Sequence, residues 1–243
     1  MSLAIATAAL LAGALMGLTG IGGVLVVPAL TEFGGIGVDN AVAASMMGFL
    51  IGGTVAAVVH LRRTRIPGAD VAVLALAAGL GSAAGTASLG VLPSTAVRLF
   101  IAFLALASGL NALLGPRGQP KPYVPTAPAL ALLGLAVGFG SALSGTGGPV
   151  MLIPILLALR VPPREAIAIG VAAGVPIVFT ATALNAFAGR LDYVLGLLLA
   201  LLIACGTLGG SWLGRRFSGR GLTRTVAAVL VLTGLWYGYV TLR

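Results

Sequence analysis

Long apolar runs fill most of the chain, and polar residues collect in the short stretches between them. Most runs hold about 20 residues, which is the length an α-helix needs to cross the hydrocarbon core of a bilayer. Proline and glycine cluster in the gaps, where they end helices. The pattern predicts an all-α polytopic membrane protein with helical segments at 3–17, 24–33, 38–61, 69–91, 94–114, 126–143, 150–159, 164–187, 193–213 and 222–242.

Two interruptions differ from the other connections. Residues 18–23 read Leu-Thr-Gly-Ile-Gly-Gly and residues 143–148 read Leu-Ser-Gly-Thr-Gly-Gly, and proline follows each within a few residues. Such glycine-rich stretches favour loops over helix. A loop at membrane depth is tolerated only where it is buried in protein or lines a watery cavity. We therefore expect a helix broken at a Gly-x-Gly-Gly loop in two matching places, which points to the binding site of a transporter.

The second half of the chain repeats the first at an offset of 125 residues, as from Gly20 to Gly145 and from Gly81 to Gly206. Matches at a fixed offset indicate an internal repeat. The single histidine, His60, falls on Asn185 and is not duplicated. The predicted organisation is two homologous four-segment halves: a first transmembrane repeat at 1–115, a Pro-rich linker at 116–128 and a second transmembrane repeat at 129–243.

Composition agrees with a membrane protein, because hydrophobic residues make up 59%, charged residues 8% and the mean hydropathy is +1.13. Soluble proteins carry about 25% charged residues. The net charge of +9 comes from clusters between apolar runs. Such clusters are typical of loops that face the cytoplasm and anionic lipid. We expect a multi-pass protein of the cell (inner) membrane, surrounded by lipid and without a nucleic-acid partner.

The basic residues also bear on topology. If both broken segments cross the membrane, the 14 Lys and Arg residues divide 7 to 7 between its sides. If each is a re-entrant hairpin, only Arg98, Arg190 and Arg243 lie on one side, and the other side holds 11: Arg62, Arg63, Arg65, Arg117, Lys121, Arg160, Arg164, Arg215, Arg216, Arg220 and Arg224. The positive-inside rule favours the second arrangement, with these 11 in the cytoplasm. Three full spans per half then make the repeats inverted, and eight plain spans in a parallel repeat is the alternative.

The two loops are also the candidate binding site. A helix that restarts after a loop leaves its first N–H groups unpaired, and its N-terminus binds anions without any basic side chain. The alternative is that the glycines only allow close helix packing, as Gly81/Gly85 and Gly206/Gly210 would. Prolines beside the loops favour helix breaks. The candidate substrate-binding residues are Thr19, Gly20, Gly22, Gly23, Ser144, Gly145, Thr146, Gly147 and Gly148.

Little in the sequence supports enzyme chemistry. All five acids lie at segment ends, and there is one cysteine and one histidine. No metal cluster or Ser/His/Asp set stands out, so we expect neither catalysis nor a metal or other cofactor. His60, close to Arg62 and Arg63, is expected to be an interfacial residue, and a proton relay is the alternative.

The paired loops followed by proline, the four-segment halves and the length resemble the TauE/SafE sulfite exporter family, also known as the 4-toluene sulfonate uptake permease family. The resemblance extends over the entire chain and is strongest at residues 18–28 and 143–154. It implies membrane transport of sulfite, sulfonates or related small organic anions. It also implies that residues 19–23 and 144–148 form the anion site.

The expected function is therefore transport of a small anion, either sulfite, a sulfonate or a related organosulfur or carboxylate anion. The anion would bind at the paired helix breaks near the membrane midplane, with alternating access. A passive anion channel of the same architecture and a non-transporting membrane assembly factor are the alternatives. The sequence leaves open the anion, the direction, the coupling ion and the oligomeric state, a homo-oligomer included.

Overall fold

The computed structural model describes residues 2–64, 66, 68–114, 126–216 and 220–243. Within these ranges the protein is all-helical and has no strand, which confirms the all-α part of the predicted fold class. The linker lies outside the described residues up to 125, and its last two residues already belong to a helix. The helices are α1 Leu3–Thr19, α2 Val26–Gly34, α3 Val38–Leu61, α4 Gly68–Ser88, α5 Ser94–Leu114, α6 Ala127–Ser144, α7 Pro149–Ala158, α8 Pro163–Phe187, α9 Tyr193–Arg216 and α10 Arg220–Leu242.

Six helices, α3, α4, α5, α6, α8 and α9, are long and apolar enough to cross a membrane by length and composition. Around the bundle they expose large apolar side chains, a surface that suits hydrocarbon and not water. The exposed set includes Leu76, Leu80, Phe103, Leu132, Phe179, Phe187 and Val194.

Helix ends follow local sequence rules. The Ser2 side chain accepts a hydrogen bond from the Ile5 amide at 3.4 Å and so caps the start of α1. Both α1 and α6 end at a glycine in the left-handed conformation, Gly20 with φ 77° and Gly145 with φ 70°. Proline opens α6, α7 and α8, where its missing N–H has no helical partner to lose.

Two helix pairs, α1 with α9 and α4 with α6, pack with their backbones almost touching. A side chain on Gly13 would collide with the Ile203 carbonyl of α9, and one on Gly85 would collide with the Phe139 carbonyl of α6. Small residues allow this approach. The packing interpretation therefore describes these glycines, which lie outside the two loops.

The first hairpin is visible in the directions of α1, α3 and α9. Gly48 of α3 lies against Leu199 of α9, and four residues later Gly52 lies against Ile203, so these two helices run in the same direction. The Leu10 and Ala14 carbonyls of α1 lie against Gly206 and Gly210, which gives α1 that direction too. Since α1 and α3 are parallel, the chain between them must return.

Contacts between α1 and α2 agree with this return. A side chain built on Gly34, the last residue of α2, would meet Ile5 Cδ1 near the start of α1 at 3.1 Å. Gly22, before α2 begins, lies against the Ala12 carbonyl of α1. The α2 helix thus runs back along α1.

The second half contains a similar hairpin. Helix α4 runs parallel to α6, and it also runs parallel to α8, because Gly79 faces Pro176 and the Arg190 guanidinium after α8 donates to the Thr86 carbonyl at 3.2 Å. Helix α7 returns between the parallel α6 and α8, with Met151 against Gly140.

Helices α3 and α8 pack together in the centre in opposite directions. Gly90, after α4, lies near both Asp39 at the start of α3 and Arg190 just after α8. The start of one central helix and the end of the other are therefore on the same side of the molecule.

Candidate functional site

The structure brings the two predicted loops into contact at the centre of the bundle. A side chain on Gly23 would collide with the Thr146 carbonyl. The Ser45 hydroxyl of α3 donates to the Gly145 carbonyl at 3.0 Å, which attaches the second loop to this central helix. Side chains of the second hairpin and of α8, Ile153 and Ile167, lie against Gly20 of the first loop.

The first loop uses its hydroxyl for its own turn. Thr19 Oγ1 donates to the Leu15 carbonyl at 2.9 Å and accepts from the Ile21 amide at 3.3 Å. The Gly20 amide donates to the Met16 carbonyl at 2.9 Å and closes α1. Thr19 therefore shapes the break, and its role as a ligand donor stays a prediction.

The second loop is fully buried and organised in the same way. Ser144 Oγ donates to the Gly140 carbonyl at 2.8 Å and lies 2.9 Å from Thr146 Oγ1. Gly148 has φ 107°, a conformation that residues with a Cβ rarely adopt, and it allows the chain to turn into Pro149 and α7. The hydroxyls of this loop are thus paired with each other and with α6.

The backbone amides at the two helix starts remain without partners. No carbonyl or side chain in the part of the chain that the structure describes accepts a hydrogen bond from them. A buried N–H without a partner costs about 1–3 kcal/mol, so such groups normally meet a ligand or water. These amides, all buried, belong to Gly22, Gly23, Val24, Gly147, Gly148 and Val150.

Val24 and Val150 extend the predicted site. The sequence motif ends at the last glycine, but the orphan amides of a helix continue through its first turn. Pro149 has no N–H, so the next donor in the second half is Val150. The helix-terminus rule would have identified both valines before the structure was known.

A small cavity lies beside the loops, between the two central helices. Its volume is about 10 Å³, roughly the space that one water molecule needs. An anion the size of sulfite does not fit, so this conformation is closed around the site. Apolar side chains and glycines line the cavity: Met16, Phe49, Gly53, Gly147, Pro149, Val171, Gly174 and Val178.

Two arginines near helix ends are committed to other partners. Arg98 forms a salt bridge with Glu32 at 2.7 Å, and the Arg190 guanidinium donates to the Leu89 carbonyl at 2.7 Å. No group of three or more His, Cys, Asp or Glu side chains able to hold a metal occurs among the described residues. Neither arginine is therefore free to meet an anion at the loops, where the backbone dipoles supply positive potential.

His60 lies nearer the site than its sequence position indicated. It is in the last turn of α3, and its imidazole lies against the backbone of Met16 and Gly17, at the end of α1 just before the first loop. Its Nε2 is buried and has no hydrogen-bond partner in the described part of the chain.

Comparison with known proteins agrees with this architecture. The family described as sulfite exporter TauE/SafE matches residues 5–237, which include both loops and nearly the whole chain. No curated protein and no solved structure matches the chain. The match confirms the resemblance inferred from the paired loops. The chain belongs to the TauE/SafE sulfite exporter family and is a multi-pass membrane protein of this transporter family.

Proposed function

We propose that the protein transports a small organosulfur or carboxylate anion, with sulfite and sulfonates as the first candidates, across the cell (inner) membrane. The anion binds between the two loops at residues 19–24 and 144–150. The observation that supports this site is the set of six buried, unpaired amides at two facing helix starts. Helix N-termini bind anions through such amides and through the helix dipole.

The two halves form inverted repeats in this proposal. Close backbone contacts recur at the 125-residue offset with the halves exchanged, and the central helices α3 and α8 run in opposite directions. Both features support a two-fold axis in the membrane plane, as in other transporters built from inverted repeats. The matched contacts are Gly13–Ile203 with Gly138–Ala78, Gly81–Leu135 with Gly206–Leu10, Gly85–Phe139 with Gly210–Ala14, and Gly109–Ala227 with Gly234–Ala102.

In the proposed mechanism, each hairpin acts as a gate on one side of the binding site. The end of α1 lies beside His60, near the end of α3 that precedes Arg62 and Arg63, whereas the second loop is tied to Ser45 near the opposite end of α3. Since the basic cluster faces the cytoplasm, the first hairpin closes the cytoplasmic side and the second closes the outer side. Movement of one hairpin at a time against α3 and α8 opens the site alternately.

Transport in liposomes that contain the purified protein tests the proposal. We expect saturable uptake of sulfite, with competition by methanesulfonate, taurine or acetate, and stabilisation of the protein by the anions it binds. Ohmic single-channel currents would favour the passive channel instead. Transport of neutral amino acids or metal cations, with no binding of small anions, would refute the proposal.

A further inference from the structure

His60 occupies a position where a proton could act on the anion site. Its imidazole lies against the backbone at Met16 and Gly17 in the last turn of α1. The Met16 carbonyl already accepts from the Gly20 amide, whereas no group in the described part of the chain donates to the Gly17 carbonyl, and both carbonyls belong to the negative end of the α1 dipole. Met16 also lines the cavity beside the loops, so only this residue separates the imidazole from the site.

In the second half of the chain, the position equivalent to His60 holds a residue that cannot take up a proton. The equivalent residue is Asn185 in the last turn of α8, a fully buried amide whose Nδ2 donates to the Ala181 carbonyl at 2.9 Å. Asn185 Oδ1 has no partner among the described residues, just as His60 Nε2 has none. The fold therefore accepts a neutral amide at this position in one half and carries an imidazole in the other.

The charges around His60 come from few groups. Arg62 and Arg63 follow it in the chain, and the Arg63 charge opposes that of an imidazolium. Beside Gly17, the nearest atoms of α9 belong to the backbone at Thr207 and Ser211. The last turn of α1 has no charged residue. The other charged residues at this end of the bundle include Asp70 at the start of α4, Arg160 after α7, Arg164 and Glu165 at the start of α8, Arg215 and Arg216 at the end of α9, and Arg220 and Arg224 at the start of α10.

We propose that His60 is the proton-binding site that couples proton uptake to anion binding, an inference that rests on the proposed function. When Nε2 takes a proton from solution, the imidazolium becomes a donor on both nitrogens, and the backbone of Met16 and Gly17 in α1 lies beside it to accept. It also places a positive charge beside an otherwise uncharged cavity. A bound anion favours the proton, and by reciprocity the proton favours the anion. Histidine suits this role because its charge changes near neutral pH.

The test uses methanesulfonate, whose charge is constant across the pH range of interest. Its affinity for the purified protein is measured by calorimetry at about pH 5.5 and about pH 8, on either side of the ordinary histidine titration. We expect binding about tenfold tighter at the lower pH in the wild type. We expect no pH response in His60→Asn or His60→Gln, and Asn185→Ser, the matched control in the other half, should respond like the wild type.

A second readout does not depend on any variant. The chain has a single histidine, so protein labelled at histidine gives one imidazole Cε1–H signal in the NMR spectrum. Addition of methanesulfonate near neutral pH should move this signal toward the protonated form. A role of His60 in packing alone would leave it unchanged.

The outcomes separate the two hypotheses. Three results would each refute proton coupling without refuting anion transport. They are equal affinity at both pH values in the wild type, an unchanged pH response in His60→Asn, and an imidazole signal that does not change when the anion is added. If neither methanesulfonate nor sulfite binds at any pH, the proposed function is wrong, and proton coupling is wrong with it.

Discussion

Glycines in this protein serve two distinct purposes. In the helix pairs they allow backbones to touch, as Gly210 does against the Ala14 carbonyl. In the loops they allow the chain to turn, as Gly148 does with φ 107°, and Gly23 lets the two loops meet at Thr146. Substitution should therefore have different consequences at the two kinds of position.

Loop glycines should be needed for transport and not for insertion. In Gly148→Val the branched side chain is incompatible with positive φ, and in Gly23→Val it would separate the loops from each other. We expect both proteins to reach the membrane while transport falls about tenfold or more, the loss that accompanies one charge-assisted hydrogen bond. Gly209→Ala is the control, because a Cβ there meets nothing within 4 Å. Normal transport by both loop variants would show that the loops are ordinary connections.

A packing glycine should show the opposite behaviour. Gly210→Val would drive α9 away from the Ala14 carbonyl of α1, and overpacking of a backbone contact costs about 1–3 kcal/mol or more. We expect less folded protein in the membrane and a lower unfolding temperature. Any protein that remains folded should still bind anions. Normal stability would mean that α1 and α9 are not in backbone contact.

At the scale of helices, the apolar runs and the helix-breaking glycines predicted nearly all of the fold. The observed helices agree with the predicted segments to within a few residues, because composition and length decide helix formation in a membrane protein. The loops were also predictable, but not the pairing of Thr19 and Ser144 within their own turns. The contact between His60 and α1 could not be predicted from the sequence either, since it depends on how helices that are distant in the chain pack together.

The attachment of the second loop to α3 also depends on how distant helices pack, and mutation can test it. Ser45 Oγ bonds both the Gly145 carbonyl at 3.0 Å and the Val42 carbonyl of its own helix at 2.8 Å. We expect Ser45→Ala to lower stability by about 1 kcal/mol, the typical contribution of a buried hydrogen bond, and to change transport through a looser outer gate. Thr54→Ala is the matched control, since its hydroxyl bonds only within α3, to the Leu50 carbonyl. Identical behaviour of the two variants would show that the contact between Ser45 and the loop has no role.

At the scale of the whole molecule, the two hairpins determine the topology. If each hairpin returns to its own side, as we propose, α3, α4 and α5 span the membrane in the first half and α8, α9 and α10 in the second, and the basic clusters fall on one face. This arrangement predicts that residues 118 and 219, which lie outside the described residues, are both cytoplasmic.

Single cysteines at Gly118 and Gly219 in a Cys205→Ala background test that topology. Treated in intact cells with an impermeant thiol reagent, both should stay unlabelled until the membrane is opened. Labelling at Gly219 but not at Gly118 would establish eight plain spans in a parallel repeat, and the hairpins would then not be re-entrant.

The central claim is that backbone amides of the two loops hold the anion, and removal of single N–H groups tests it most directly. Replacement of Val24 or Val150 by the corresponding hydroxy acid turns the amide into an ester and leaves the side chain intact. Val38, the first residue of α3, is the matched control at a helix start outside the loops.

The affinity for methanesulfonate, measured by calorimetry, is the readout. We predict that the esters at residues 24 and 150 each weaken binding about tenfold or more, the loss expected for a charge-assisted hydrogen bond, and that the ester at residue 38 leaves it unchanged. Equal affinity in all three proteins would contradict the claim that these amides bind the anion.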